Sequence, residues 1–355
     1  MSVTDITHFY HQVDQIKREF IDNCQVKRKY EAFKIWARWL ITHQSLHKQP
    51  NWLLPSVATD NDLQITTELV NKGCSVVQAQ HLYQELTYQV QKLVATTNLE
   101  APQASFTVTV TPHDNKVNLA YSKFKHDVSS RLYQQLCHRV RALPAPAQAQ
   151  AIWQMLTAYY LLDGKSLQWA VPGNLMYYFQ QQFGCNTEIF ASPINVTYDQ
   201  YYSLFPYTDS CFGSKGNFFT APDSQFQSGC YEVNPPFIDI LFTETSRRIL
   251  ELLVAADQNQ RDLTFIYVLP DWDDLEGYDL LIGSRFCSRE ITLKTGEHYY
   301  YQSQKECYIQ VHFSTKVLFL STNPNICNHQ QAGQIVAYFR NPTRRDRSWE
   351  TEKES

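Results

Sequence analysis

Apolar residues recur at helical spacing in the first part of the chain and shift to short, strand-like runs later on. Phe20, Ile21, Cys24, Lys27 and Arg28, Ala32, Ile35, Trp36, Trp39 and Leu40 fall near helical spacing and predict a single helix from about Asp14 to Ile41. Pro50 and Pro55 mark a loop, and Leu82, Leu86, Val90 and Leu93 predict a second helix from Val76 to Val94. Phe106, Val108 and Val110 alternate with threonines, which predicts a strand; His113-Asp114-Asn115 is the turn and Val117–Tyr121 the return strand. Further helices are expected over Asp127–Leu143, ended by Pro144 and Pro146, and over Ala151–Leu162.

From Asn174 onward helices and strands alternate. The pattern predicts helices at Asn174–Phe183, Tyr198–Leu204 and Ile238–Val254, and strands at Glu188–Ala191, Tyr231–Val233 and Leu263–Leu269. Tyr308–His312 and Lys316–Leu320 read as a closing antiparallel pair. Such alternation implies an α/β fold with a mostly parallel sheet covered by helices. The expected organisation is a helical N-terminal extension with a small β element over 1–165, a core over 166–340, and a charged tail over 341–355 with Arg344, Arg345 and Arg347.

Composition narrows the partners. With a formal net charge of −4 there is no global attraction to nucleic acid, so any such binding needs a local basic patch. Lys27-Arg28-Lys29 with Lys34 and Arg38, and Lys123, Lys125, Arg131, Arg139 and Arg141, offer such patches and equally well describe solvated helix faces. Nine cysteines without a C-x-x-C pair suggest reduced thiols and no zinc site. The sequence has no secretory pattern and no apolar run of membrane-spanning length, so an intracellular protein is expected, without a membrane partner.

Asn234-Pro235-Pro236-Phe237 carries the candidate chemistry. It follows the apolar run Cys230–Val233 and precedes a helical pattern, so two prolines end a strand and stiffen the turn. An amide oxygen beside a rigid carbonyl can accept two hydrogen bonds from an –NH₂ group, and the Phe ring can hold a flat base by stacking, worth roughly 1–3 kcal/mol. Two acceptors on the exocyclic amine of adenine would localise its lone pair and aim it at a methyl sulfonium, which is preorganised electrostatic stabilisation. Asn has no basic site, so the proton leaves after methyl transfer. A plain Pro-Pro turn between strand and helix is the alternative reading. Phe190-Ala191-Ser192 and Pro270-Asp271-Trp272 end neighbouring strand-like runs, and in a parallel sheet they would emerge at the same carboxyl edge, where ligands bind.

With these residues assembled, the chain resembles the cap-specific adenosine N6-methyltransferases known as phosphorylated-CTD-interacting factor. The blocks that carry the resemblance are Phe183-Gly184-Cys185, Phe190–Asn195, Phe212–Gly216, Gly229–Phe237, Phe265–Trp272 and Val317–Leu320, in order between about Val117 and Pro324. The resemblance implies a Rossmann-like S-adenosylmethionine-dependent methyltransferase core with a mostly helical N-terminal extension, S-adenosylmethionine as methyl donor and no metal. It also implies N6-methylation of the 2′-O-methyladenosine next to an m⁷G cap, with RNA, at a capped 5′ end, as partner. By position, Asn234, Pro235, Pro236 and Phe237 would hold the target adenine. Asp239, Asp271, Trp272 and Asp273, with Ser192, Pro193 and Asn195 in a loop lacking the usual G-x-G, would hold the donor. The dipole of the following helix would also favour a carboxylate at Asp239, and Trp272 also suits a core aromatic. Adenine in DNA or uncapped RNA, or an inactive relative that only binds nucleic acid, are the alternatives.

Two departures matter. Lys215 stands where Arg is expected, and Lys makes no bidentate fork to phosphate. Trp36, Trp39 and Trp52 lack the spacing of a WW module, so none is expected, and a phosphorylated polymerase tail is doubtful as a partner. The compartment expected is the nucleus in a eukaryote and the cytoplasm otherwise.

Overall fold

The computed structural model describes residues 6–46, 53–54, 63–97, 106–162, 168–272 and 275–343. The chain divides into two units, one of Met1–Lys165 with Phe205–Phe212 and one of Ser166–Leu204 with Gly213–Ser355.

The first unit contains α1 (Ile6–Asn23), α2 (Lys29–Leu46), α3 (Leu63–Asn71) and α4 (Val76–Thr96), then the antiparallel strands β1 (Thr109–His113), β2 (Lys116–Tyr121) and β3 (Phe124–Ser129). It is completed by α5 (Ser130–Arg139) and α6 (Ala145–Leu162) and, after α7 (Gly173–Phe183) of the other unit, by the short α8 (Pro206–Asp209). The single helix expected over 14–41 is two. The apolar repeat skips Lys27 and Arg28, and there the Lys27 amide donates to the Lys72 carbonyl (3.3 Å) instead of continuing the helix. The helix expected from Asp127 starts three residues later, because Phe124, His126 and Val128 alternate inward as a strand and Ser129 caps α5 through the Leu132 amide (3.0 Å). Pro146 does not end a helix but sits in the first turn of α6, where its missing N–H is harmless. Pro50, Trp52, Pro55 and the arginines of the tail lie outside the described residues.

Trp36 and Trp153 are fully buried in this unit and their indole N–H groups donate to the carbonyls of Leu161 (2.9 Å) and Phe124 (3.3 Å). Beside Trp153, His126 is bonded to the Thr157 hydroxyl (2.8 Å), which itself donates to the Trp153 carbonyl, so His126 donates from Nε2. Burial pulls the His126 pKa down to about 4, partly offset by Asp127. The folded state therefore binds fewer protons than the unfolded state between about pH 4 and the usual histidine value. Stability is full above pH 6.5 and falls as pH drops toward 4, by up to about 2–3 kcal/mol. Urea unfolding from pH 7 to 4 should show this slope, and His126→Gln should flatten it.

The second unit is built on a six-stranded sheet. Its strands are β5 (Cys185–Ala191), β6 (Gln200–Ser203), β7 (Gly229–Val233), β8 (Leu263–Pro270), β9 (Cys287–Leu293) and, at its far end in sequence, β12 (Thr315–Ser321). The order is β6-β5-β7-β8-β12-β9, with the first four mutually parallel and β12 antiparallel to both neighbours. The helices are α7, α9 (Asp239–Gln258), α10 (Glu276–Ile282) and α11 (His329–Arg340). This is the Rossmann-like α/β class expected of a methyltransferase core. A small antiparallel sheet pairs β10 (Tyr299–Gln302) with β11 (Cys307–Gln310) on one side and β4 (Trp169–Ala170) on the other.

Two expectations fail here. Tyr198–Leu204 is not a helix: Tyr201 and Tyr202 are both buried in different clusters, which requires the two-sided period of a strand, and the segment pairs as β6 beside β5. The expected closing pair does not form either. Val317, Leu318, Phe319 and Leu320 are completely buried, so β12 needs cover on both faces and neighbours on both edges; it inserts between β8 and β9, while β11 pairs with β10.

Close backbone contact joins α9 and α10. A Cβ on Gly277 would lie 2.7 Å from the Phe242 carbonyl carbon and oxygen and 2.8 Å from the Thr243 nitrogen, so only glycine fits.

Candidate active site

The strands β5, β7 and β8 are adjacent and parallel, so the segments that follow them emerge side by side. These are Ser192–Asn195, Asn234–Phe237 and Asp271-Trp272. The convergence expected from the sequence is present.

After β7 the two prolines hold the chain extended until the Ile238 amide turns back to the Pro236 carbonyl (2.7 Å), and α9 begins at Asp239. Asn234 is half-buried, yet its side-chain Oδ1 is fully buried and accepts no hydrogen bond. Such an acceptor costs about 1–3 kcal/mol when left unsatisfied. Pro235 is buried, and the ring of Phe237 is held by near-perpendicular contacts with Phe313 (5.6 Å), Trp272 (5.8 Å) and Tyr300 (6.3 Å). The Pro236 carbonyl already accepts from the Ile238 amide, and the main-chain carbonyls of Asn234 and Pro235 offer further acceptors beside Asn234 Oδ1.

At the end of β8, the Asp271 amide donates to the Ser314 carbonyl (2.7 Å) and its carboxylate lies 3.9 Å from Lys316 Nζ. Lys316 is also paired with Glu290 and bonded to Thr292 (3.1 Å), so Asp271 faces a cation that is already shared. Trp272 stays 36% exposed, leaving ring surface open at the strand end. Asp239 is exposed in the first turn of α9, whose N-cap Ile238 makes no side-chain bond. An open aromatic face at one strand end, with Asp271 beside it in sequence and Asp239 at the start of the helix after the neighbouring strand, suits a flat base bearing a hydroxylated sugar. Asp273 lies outside the described residues.

The loop after β5 behaves differently. Ser192, Pro193 and Asn195 are all buried. Asn195 Oδ1 accepts from the Ser192 amide (2.7 Å) and hydroxyl (3.0 Å), and Ser192 Oγ also bonds Gln168 Oε1 (2.6 Å). The side chains of Ser192 and Asn195 brace the loop itself, and what they offer a ligand is its shape. Lys215 lies beside β6, where its amide donates to Tyr201 (2.8 Å) and its Nζ bonds Gln200 (2.5 Å). Gly213 and Gly216 supply the positive φ values (97° and 112°) that let this loop run along the sheet edge.

Sequence reasoning missed a buried pair of carboxyl groups directly beneath. Glu232, two residues before Asn234, stands opposite Glu188 in the β5–β7 register. Glu188 accepts the amides of Thr197 and Tyr198 (2.6 Å each). Burial, then the nearby Glu188 and Cys185, push the Glu232 carboxyl well above the usual carboxylate range, so it is the neutral member. The signal available was an acidic residue inside each of two apolar strands. Among the described residues, no group of three or more His, Cys, Asp or Glu could hold a metal, and no helix is long and apolar enough to cross a membrane.

Comparison with known proteins adds to this geometry. A family model described as the phosphorylated CTD interacting factor 1 WW domain matches residues 130–303, just under half of the chain. That match overturns the expectation that no WW module is present, and with it the ground for doubting a phosphorylated CTD partner. The expectation rested on Trp36, Trp39 and Trp52, which precede the matched region; the match runs from α5 to β10. Two curated relatives, the human and mouse proteins named mRNA (2′-O-methyladenosine-N(6)-)-methyltransferase, are each 34% identical over 181 residues, 48% of this chain. This chain spans about a quarter of their length (25%). A solved methyltransferase subunit of a type I restriction-modification system from Streptococcus thermophilus aligns over 94% of this chain and 93% of its own, at 11% identity and a TM-score of 0.25, too low to carry an argument.

Proposed function

We propose that this chain is an S-adenosylmethionine-dependent methyltransferase acting on N6 of adenosine in RNA, at the 2′-O-methyladenosine next to the mRNA cap. The observation that carries the reading is the buried, unbonded Oδ1 of Asn234 at the end of β7, between two other strand ends. A buried acceptor to which no protein group donates is what an exocyclic amine requires. The names of the human and mouse relatives support the choice of a capped mRNA target. The family match supports a phosphorylated CTD as a further partner. On this reading residues 166–340 form the transferase core and 1–165 an extension.

The roles follow from the geometry. Asn234 Oδ1 accepts one N6 hydrogen, and a main-chain carbonyl of Asn234 or Pro235 accepts the other. Both acceptors, with their partial negative charge, stabilise the positive charge that develops on nitrogen, which lowers the barrier. Phe237 stacks on the adenine and is kept in plane by its ring neighbours. Asp239, Asp271 and Trp272 hold the donor, with the rigid loop of Ser192, Pro193 and Asn195 as a wall. When bound, S-adenosylmethionine supplies an electrophilic methyl group. Asn234 takes no proton, so the amine loses its proton to solvent after transfer.

The test is transfer from labelled donor to a panel of capped RNA, uncapped RNA and DNA oligonucleotides that begin with adenosine, with nucleosides identified by mass. N6-methylated product on capped RNA alone is expected. Equal transfer to uncapped RNA or DNA removes the cap from the proposal, and absence of both transfer and donor binding leaves a nucleic-acid-binding relative.

A further inference from the structure

We propose that His298, Thr315 and Tyr300 are positioning residues: a buried relay of hydrogen bonds that fixes the tilt of the Phe237 ring, parallel to which the substrate base must stack. The inference rests on the methyltransferase reading for its substrate, and on this chain's own contacts for its geometry.

The relay has one direction. His298 is completely buried, and its Nδ1 lies 3.1 Å from the Lys294 carbonyl, a group that only accepts. Nδ1 therefore carries a proton. Burial lowers the His298 pKa, which keeps the ring neutral and leaves Nε2 as an acceptor. Thr315 Oγ1, at 2.8 Å, donates to it. The Thr315 oxygen is then available to accept from the Tyr300 hydroxyl at 3.4 Å. Each donor along the way has one acceptor, so the hydroxyl of Tyr300 is tethered and its ring cannot turn freely.

That ring is a wall of the site. Tyr300 is fully buried and meets Phe237 at 6.3 Å and 86°. Thr315 reaches the opposite wall too, because it pairs with Pro270 in the β8–β12 register, immediately before Asp271 and Trp272. Trp272 meets Phe237 at 5.8 Å and 84°. The Thr315 hydroxyl thus links Tyr300 to a histidine that fixes its orientation, while the Thr315 backbone is paired with the strand end that precedes Trp272. An ordinary core would place apolar side chains at these positions, since a buried Thr and His each need a partner to offset desolvation. Their use here buys orientation at a place where a tilt of the ring would misalign a stacked base.

The experiment uses the full chain. Thr315→Val keeps shape and strand preference and removes the hydroxyl; Tyr300→Phe removes the other end of the same link. Each is expected to raise KM for the acceptor RNA roughly 3–10-fold, the range of a single neutral hydrogen bond, with donor affinity and kcat little changed. The double variant should be no worse than the more affected single variant, because both break one relay, and Thr315→Ser should restore KM. A lower melting temperature with unchanged KM, or additive losses in the double variant, overturns the proposal. Should the wild type transfer no methyl group at all, the functional reading fails, and the relay is judged by the aromatic ¹³C resonances of Phe237. A shift in Thr315→Val that Thr315→Ser lacks keeps the relay; identical spectra reject it.

Discussion

Asn234→Ala is expected to lower kcat by about 10²–10³, the loss typical of removing one preorganised charge-stabilising group, while donor affinity stays within about twofold. The unusual part is stability. Most substitutions in a buried strand end cost stability, but here the alanine removes an acceptor to which no protein group donates. The melting temperature should hold or rise, since an unsatisfied buried acceptor costs about 1–3 kcal/mol. Labelled-donor kinetics, calorimetric titration of donor and a thermal scan on the same preparation check all three points. A collapse of donor binding, or a clear drop in melting temperature, would mean that Asn234 holds the fold or the donor and not the adenine.

Gly277→Ala is the second large effect, and it acts on structure first. The added methyl would meet the backbone of Phe242 and Thr243 at 2.7–2.8 Å, and backbone inside a helix has nowhere to move. Overpacking of this kind costs about 1–3 kcal/mol, so a melting temperature lower by roughly 2–12 °C is expected for a unit of this size. Phe242 also packs against Phe237 (6.1 Å) and Trp272 (6.1 Å), so displacing α9 should raise KM for both substrates. An unchanged melting temperature would show that α10 can move away without cost.

The candidate site was legible where local chemistry decides structure. Two prolines after an apolar run end a strand wherever they occur, and Asn234, Asp271 and Ser192 could be placed at strand ends without knowing which strands pair. What stayed hidden depends on pairing across long separations. Glu188 faces Glu232 only through the β5–β7 register, and Tyr300 and Phe313 join Phe237 from more than 60 positions away. The β6 error had a local cause: Tyr-rich sequence satisfies either period, and only burial on both sides decides. The break between α1 and α2 was written in the two cations that interrupt the apolar repeat. The capping box at Asn328, whose side chain and that of Gln331 each accept the other's amide (2.9 Å), announces α11 and was readable as an Asn-x-x-Gln signature.

The insertion of β12 between β8 and β9 sets an order of events during synthesis. Until the ribosome has released the segment through Ser321, β8 has no partner on one edge and its apolar face on that side has no neighbour, although Asn234 and its loop were made some 80 residues earlier. The nascent core must wait with an open, hydrophobic sheet edge, which is where strands from other chains add. Chains interrupted before Thr315 should therefore aggregate rather than fold, and the Asn234–Phe237 turn can become rigid only after the segment through Ser321 has been made.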